Sequence, residues 1–311
     1  FLFSACVSTT NKNSIGLKLS HENTINADAL YSDLEIIPLS EFDGQLSNKP
    51  HCLAISEDYF FILNGKGELL CFKNNGSYIS SISLDNQITA FSLYKEKYLD
   101  VLYERDIIEY SLPDFSVNFI YHIPDTSMTC IDIMRRDDSV IVLSGFIGNL
   151  DAFGEYYFED NSFYSMSNSL YSPETNRRTV AENSHFFRSS DNTYYLFSDT
   201  GEIWEYSAFL HPLEKWDFGR AVLSQESFFS AQLSHGKVYM SFMYKEEEYL
   251  LIYDENKGEH SIIRTLEGGT KFPLGTIYKG YNYYVCPSVE ANRFVDNLSL
   301  SRYKEGIIEE S

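Results

Sequence analysis

From His51 onward the chain alternates short apolar runs with Gly, Asn and Asp turns and shows almost no helical periodicity, which predicts strands throughout. The clearest unit runs from His51 to Ile82. Cys52–Ile55 reads as a first strand, Ser56-Glu57-Asp58 as a turn and Tyr59–Leu63 as a second strand. Asn64-Gly65-Lys66-Gly67 is a hairpin loop, Glu68–Phe72 a third strand, and Asn74-Asn75-Gly76 turns the chain into Ser77–Ile82. Four antiparallel strands in so short a stretch make one propeller blade.

The second strand of that unit recurs. Phe60 is followed at the equivalent place by Leu99, Val140, Tyr195, Val238 and Tyr283, at intervals of 39, 41, 55, 43 and 45 residues. Those are propeller periods. The long interval holds a polar, Pro-interrupted insertion, read as Ser165 to Asn183. The predicted fold is all-β, a six-bladed β-propeller of four-stranded antiparallel blades. A ring removes its sheet edges only by closing on itself. Closure is assigned to Leu34–Leu39 pairing with Leu298–Tyr303.

Composition narrows the function. Lys and Arg number 24 against 45 Asp and Glu, a net charge of −21, which excludes a phosphate-backbone binder; no nucleic-acid partner is expected. The 23 Phe and 24 Tyr are assigned to blade packing. No apolar run reaches the length of a membrane-spanning helix.

The N-terminus carries an address. Phe3-Ser4-Ala5-Cys6 resembles a bacterial lipobox, with Phe3 where an aliphatic residue is usual. That resemblance implies cleavage before Cys6 and acylation of its sulfur, with membrane attachment through the lipid anchor. Val7–Ser14 is polar and suits a tether. The organisation expected is a residual signal peptide at 1–5, a lipid-anchored tether at 6–30, the propeller at 31–305 and a C-terminal tail at 306–311. The location expected is the cell envelope, lipid-anchored to the membrane, on its periplasmic or its surface side. An exported protein could pair Cys52, Cys71, Cys130 and Cys286. Each lies in an apolar run, and Cys52 and Cys71 fall two strands apart, so buried free thiols are predicted.

A family resemblance rests on several stretches. These are Leu34–Leu39 after the lipobox, His185-Phe186-Phe187-Arg188, Asp199-Thr200-Gly201-Glu202-Ile203-Trp204-Glu205-Tyr206 with Trp216-Asp217-Phe218-Gly219, and Asp296–Tyr303. Together they resemble the six-bladed β-propeller lipoproteins of the Bacteroidetes, propellers of the NHL/TolB-like kind. Leu298 stands where that family usually has Pro, and the family's Gly-Pro-Gly-Glu stretch is missing. The resemblance implies an envelope location and a propeller, with no general activity.

Searching for chemistry yields little. Phe197–Trp204 nearly matches a sialidase Asp box, with Ser198 one place late, but that box is a hairpin device. There is no Gly-x-Ser-x-Gly elbow, no phosphate loop and no zinc-type His or Cys pair. A lactonase-like axial metal would draw on Asp132, Glu182, Asn183 and Glu226, four acids and amides at or near inner strands. No cofactor is expected under the leading reading. Loops leading into inner strands line one face of a propeller, where ligands bind. His51, His185 and Arg188 fall there and Arg177-Arg178 lies on the insertion, so these five are the candidate ligand contacts. Their dull reading is charge balance and strand-end packing. Asp138-Ser139-Val140 fits a short O-glycosylation pattern on a turn. The leading function is a non-catalytic binding or scaffold propeller for an envelope protein, peptide or glycan. The alternative is a metal-dependent hydrolase at the axis.

Overall fold

The computed structural model describes residues 52–124, 127–148 and 150–167 continuously, and elsewhere the strands named below with Leu39 and Lys257. Among the described residues there is no helix, and the strands form six sheets. Three strands precede the first repeat unit: β1 (Lys12–Ser14), β2 (Thr24–Asn26) and β3 (Tyr31–Pro38). Sheet I is β4 (Cys52–Ile55), β5 (Tyr59–Leu63), β6 (Leu69–Lys73) and β7 (Tyr78–Ile82). Sheet II is β8 (Ala90–Tyr94), β9 (Tyr98–Tyr103), β10 (Asp106–Ser111) and β11 (Ser116–His122). Sheet III is β12 (Met128–Arg135), β13 (Val140–Ile147), β14 (Leu150–Tyr157) and β15 (Ser162–Ser167).

Sheet IV holds β16 (Phe186–Arg188), β17 (Tyr194–Phe197), β18 (Glu202–Tyr206) and β19 (Pro212–Asp217), and β1 adds parallel to its outer strand. Sheet V holds β20 (Phe228–Ser234), β21 (Lys237–Tyr244), β22 (Glu247–Asp254) and β23 (Glu259–Arg264), and β2 adds parallel to that outer strand. Sheet VI is β24 (Gly275–Tyr278), β25 (Tyr281–Glu290), β26 (Arg293–Glu305) and β3. Every consecutive pair within a sheet is antiparallel, as propeller blades require.

Local chemistry explains sheet I. Ser56 Oγ accepts the Tyr59 N–H at 2.9 Å and donates to the Tyr59 carbonyl at 3.0 Å, which closes the first turn. Buried Asn64 accepts the N–H groups of Lys66 and Glu68 at 2.9 and 3.0 Å, which shapes the hairpin. The runs of β5 and β6 are apolar without a break because both faces of the sheet are covered. Phe60, Ile62, Leu70 and Phe72 pack with Ile37 of β3 on one side, whereas Phe61, Leu63, Leu69 and Cys71 pack with Phe91, Leu99 and Val101 of sheet II on the other. Leu102 and Ile107 then meet Ile133, Ile141 and Leu143 across the sheet II–III interface. Among the described residues, β3 and sheets I, II and III therefore stack face on face, with a slab of core at each interface.

First strands lie side by side: β4 beside β8 and β24, β8 beside β12, β12 beside β16, and β20 beside β24. The β26–β3 register runs from Ser299↔Pro38 to Tyr303↔Leu34, the pairing expected from the sequence. Gly76 shows how tightly β3 sits on sheet I. It has φ +87°, and a Cβ there would lie 2.0 Å from the Pro38 carbonyl oxygen.

One boundary differs from the sequence reading. Ser165–Ser167, assigned to the insertion, belong to β15 and pair with Ala152–Gly154, because Phe163 and its neighbours continue the alternation. Glu247 and Glu248 open β22 opposite Tyr244 and Met243. The segment expected to be a tether contains β1 and β2, both paired along sheet edges.

Candidate functional site

Cys6, His51, Arg177, Arg178, Glu182, Asn183, His185, Glu226 and Cys286 are not among the residues whose side chains are described; Cys286 is placed only by its backbone, in β25 opposite Ser299. Arg188 is likewise placed only by its backbone, ending β16 opposite Tyr194. Asp132 lies on β12 and is buried, with Oδ1 accepting the Ile133 N–H at 2.8 Å. Burial, and then the charge of Asp132, push the Cys52 thiol far above its usual range. Burial also holds Cys71 and Cys130 up at about 12. These three cysteines are free thiols, as expected; Cys71 is buried as predicted, whereas Cys52 and Cys130 are partly exposed. No group of three metal-ligating side chains occurs among the described residues.

The face that receives the sheet-to-sheet connections carries a small cavity of about 130 Å³. Glu104 and Arg105 of the β9–β10 hairpin, Ile123 and Pro124 of the connection, and Met128, Thr129 and Cys130 of β12 line it. Sites for drug-sized ligands run to about 300–1,000 Å³. This cavity suits a few waters or a very small molecule.

The strongest electrostatic feature was not foreseen. Asp100 on β9 and Glu109 on β10 stand directly opposite each other, a like-charge pairing that two strands alone would not tolerate. Arg135, from the end of β12 in the next sheet, reaches between them. Its Nη2 donates to Asp100 Oδ1 at 2.6 Å and to Glu109 Oε2 in a shorter contact. The guanidinium also lies over the rings of Phe158 at 4.8 Å and of Tyr94 and Tyr98 at 5.4 Å. All three charged side chains are almost wholly inaccessible. One cation serves two carboxylates, and Asp100 Oδ2 and Arg135 Nε have no hydrogen-bond partner. Burial accordingly pushes the Asp100 carboxyl up to about 7, against the pull of Arg135. Burial draws Arg135 down, but Asp100 and Glu109 outweigh it and leave the guanidinium raised. None of its three side chains lines the cavity above; the cluster clamps sheet II to sheet III.

Around the clamp lie weaker ties, one within sheet III and one between sheets II and III. Arg136 contacts Glu155, which also accepts the Tyr157 hydroxyl at 2.8 Å. Exposed Lys95 and Asp138 meet at 2.7 Å. Ser139, of the O-glycosylation pattern, is exposed on that turn.

The outer strand of sheet II is the other unforeseen feature. Along β11 the side chains of Val117, Phe119 and Ile120 are exposed, Phe119 at 59% and Ile120 at 62%. Phe119 stacks on Tyr121 at 5.7 Å, and Tyr121 on Phe158 of sheet III at 4.5 Å. Asn118 forms a bulge and donates to Glu109 at 3.1 Å. Among the described residues nothing pairs with the outer edge of β11.

The chain matches no protein-family model, and no curated protein matches it in sequence. Its fold is similar to that of a Bacteroides fragilis protein described as exported, at 12% identity, 95% of this chain, 100% of that one and a TM-score of 0.66. It is also similar to a member of the DUF4221 family from Bacteroides vulgatus, at 10% identity, 89% and 98% coverage and a TM-score of 0.61. Virginiamycin B lyase from Staphylococcus aureus is similar too, at 11% identity, 88% and 89% coverage and a TM-score of 0.54. At such identities the likeness establishes the fold alone: an all-β chain of four-stranded antiparallel sheets of the propeller-blade kind.

Proposed function

We propose that this protein is a non-catalytic binding propeller of the cell envelope, of the kind found in the lipoproteins it resembles, and that its partner is a protein or peptide. The ring has six blades and closes through the pairing of β3 with β26, with 31–305 as its single domain. The stacking of first strands around the axis and the seat of Ile37 against sheet I support that reading. An exported relative in fold and the lipobox at Cys6 support the envelope location. His51, Arg177, Arg178, His185 and Arg188 remain the proposed contacts for an anionic ligand on the loop face.

One observation carries the binding role: the exposed apolar edge of β11. An edge strand of this kind invites pairing, and proteins that keep one usually use it. The outer strands of sheets IV and V already accept short added strands. A partner segment adding to β11 would form main-chain hydrogen bonds and cover Phe119 and Ile120. Affinity capture from solubilised envelopes with the native protein and with Phe119→Ser/Ile120→Glu tests it. A discrete partner retained by the native protein and lost from the variant is expected; identical capture by both refutes the role of this edge.

The alternative, a metal-dependent hydrolase at the axis, has one described residue in its favour, buried Asp132 on a first strand. Metal analysis of the purified protein discriminates. A stoichiometric ion that disappears in Asp132→Ala would replace the binding reading with the enzymatic one.

A further inference from the structure

The segment between Cys6 and the first blade does not run freely to the propeller. Lys12–Ser14 pairs with Lys215–Asp217 on the outer edge of sheet IV, and Thr24–Asn26 pairs with Ile262–Arg264 on the outer edge of sheet V. Tyr31–Pro38 then becomes the outer strand of sheet VI. The chain thus passes along the rim of three successive sheets in order. Both added strands are parallel to their neighbours.

This path fixes how far a lipid on Cys6 can stand from the protein. Six Cα steps separate Cys6 from Lys12, on the order of 20 Å fully extended. Were the chain first held at Tyr31, 25 steps would give on the order of 90 Å. A domain of this length is roughly 50 Å across, from its expected radius of gyration. The longer reach would let any side of the propeller touch the bilayer. The shorter one would not.

We infer that the acylated protein is mounted on the bilayer by the rim of sheets IV and V, with the rim of sheets I and II turned away from it. The inference rests on the proposed acylation of Cys6. In a six-membered ring sheet I lies across from sheet IV and sheet II across from sheet V. The exposed strand β11 is therefore presented outward, where a partner from solution or from another envelope protein meets it. The ligand of the mounting surface is a lipid bilayer, held by the acyl chains and kept close by strand pairing.

The full-length acylated protein is reconstituted into phosphatidylcholine vesicles containing a fluorescent acceptor lipid. A donor dye is placed through an unnatural amino acid at position 215 on β19 or at position 81 on β7. Energy transfer several-fold stronger from 215 than from 81 is expected. A 20-residue Gly/Ser insertion between Cys6 and Lys12 should abolish the difference. Equal transfer from both positions at native tether length overturns the mounting. Fatty-acid labelling of the native protein and Cys6→Ser reads the anchor separately: equal labelling refutes acylation and removes the mounting with it. Hydrogen exchange isolates the strand pairing. Unprotected amides at 12–14 and 24–26 in a protein that does carry lipid overturn the mounting while leaving the anchor intact.

Discussion

Replacing Arg135 with Met removes the cation that Asp100 and Glu109 share, while leaving an apolar stem of similar reach. Asp100 is already raised from 3.8 to about 7 with Arg135 present. Its folded value lies above its unfolded one, so its contribution is fully present below about pH 4 and is lost as pH rises through 7. A shift of that size corresponds to roughly 4 kcal/mol across the window. Without Arg135 the pull that lowers Asp100 is gone, and burial and the neighbouring Glu109 hold its carboxyl still higher inside the sheet II–III interface. Breaking a buried pair in this way costs about 3–5 kcal/mol. That loss should appear in full at pH 8 and shrink to about half at pH 5, where Asp100 keeps its proton in both proteins. Equilibrium urea unfolding at the two pH values, followed by fluorescence and circular dichroism, measures it. The triple variant Asp100→Leu/Glu109→Met/Arg135→Met should regain most of the stability, since apolar replacements of buried ion clusters are often neutral. A loss below about 1 kcal/mol at pH 8, or equal losses at both pH values, would show that the cluster is solvated and refute the clamp.

Phe61 is fully buried between sheets I and II, edge-on to Phe91 and Phe115, so Phe61→Ala should cost about 3–5 kcal/mol by the same unfolding assay. Gly76→Ala meets both a positive φ and the Pro38 carbonyl, so it should lower the melting temperature by several degrees; an unchanged melting point would mean that β3 does not sit on sheet I as described. Cys52, Cys71 and Cys130 should resist alkylation at pH 8 and react after unfolding, because burial keeps each thiol protonated. Mass spectrometry of the native protein should find those three unlabelled and unpaired. Rapid labelling of Cys71, which is buried, would contradict that burial.

The blades were legible because their signals are local. In sheet I, Asn64-Gly65-Lys66-Gly67 and Asn74-Asn75-Gly76 mark the turns, and unbroken apolar runs mark strands covered on both sides. The clamp was only half legible. A tight turn at Glu104-Arg105 sets Tyr103 opposite Asp106, and the same register puts Asp100 opposite Glu109. The like-charge pair was thus implicit in the hairpin. Its cation was not, because Arg135 comes from the next sheet and only packing brings it there. Lys12-Asn13-Ser14 carries almost no strand signal in composition and Thr24-Ile25-Asn26 is too short to show a period, since edge addition draws on the backbone and needs no apolar face. Val117–Tyr121 reads as an ordinary strand of a blade. Only its place at the end of sheet II leaves Phe119 and Ile120 uncovered.

The central claim, a propeller that works by binding through its outward edge, is tested most directly by photo-crosslinking in intact cells. A photoreactive phenylalanine analogue replaces Phe119 on β11 or Phe61 in the core. A discrete cross-linked polypeptide from position 119, and none from 61, is the predicted result. No cross-link from 119 in cells that display the folded protein would contradict it.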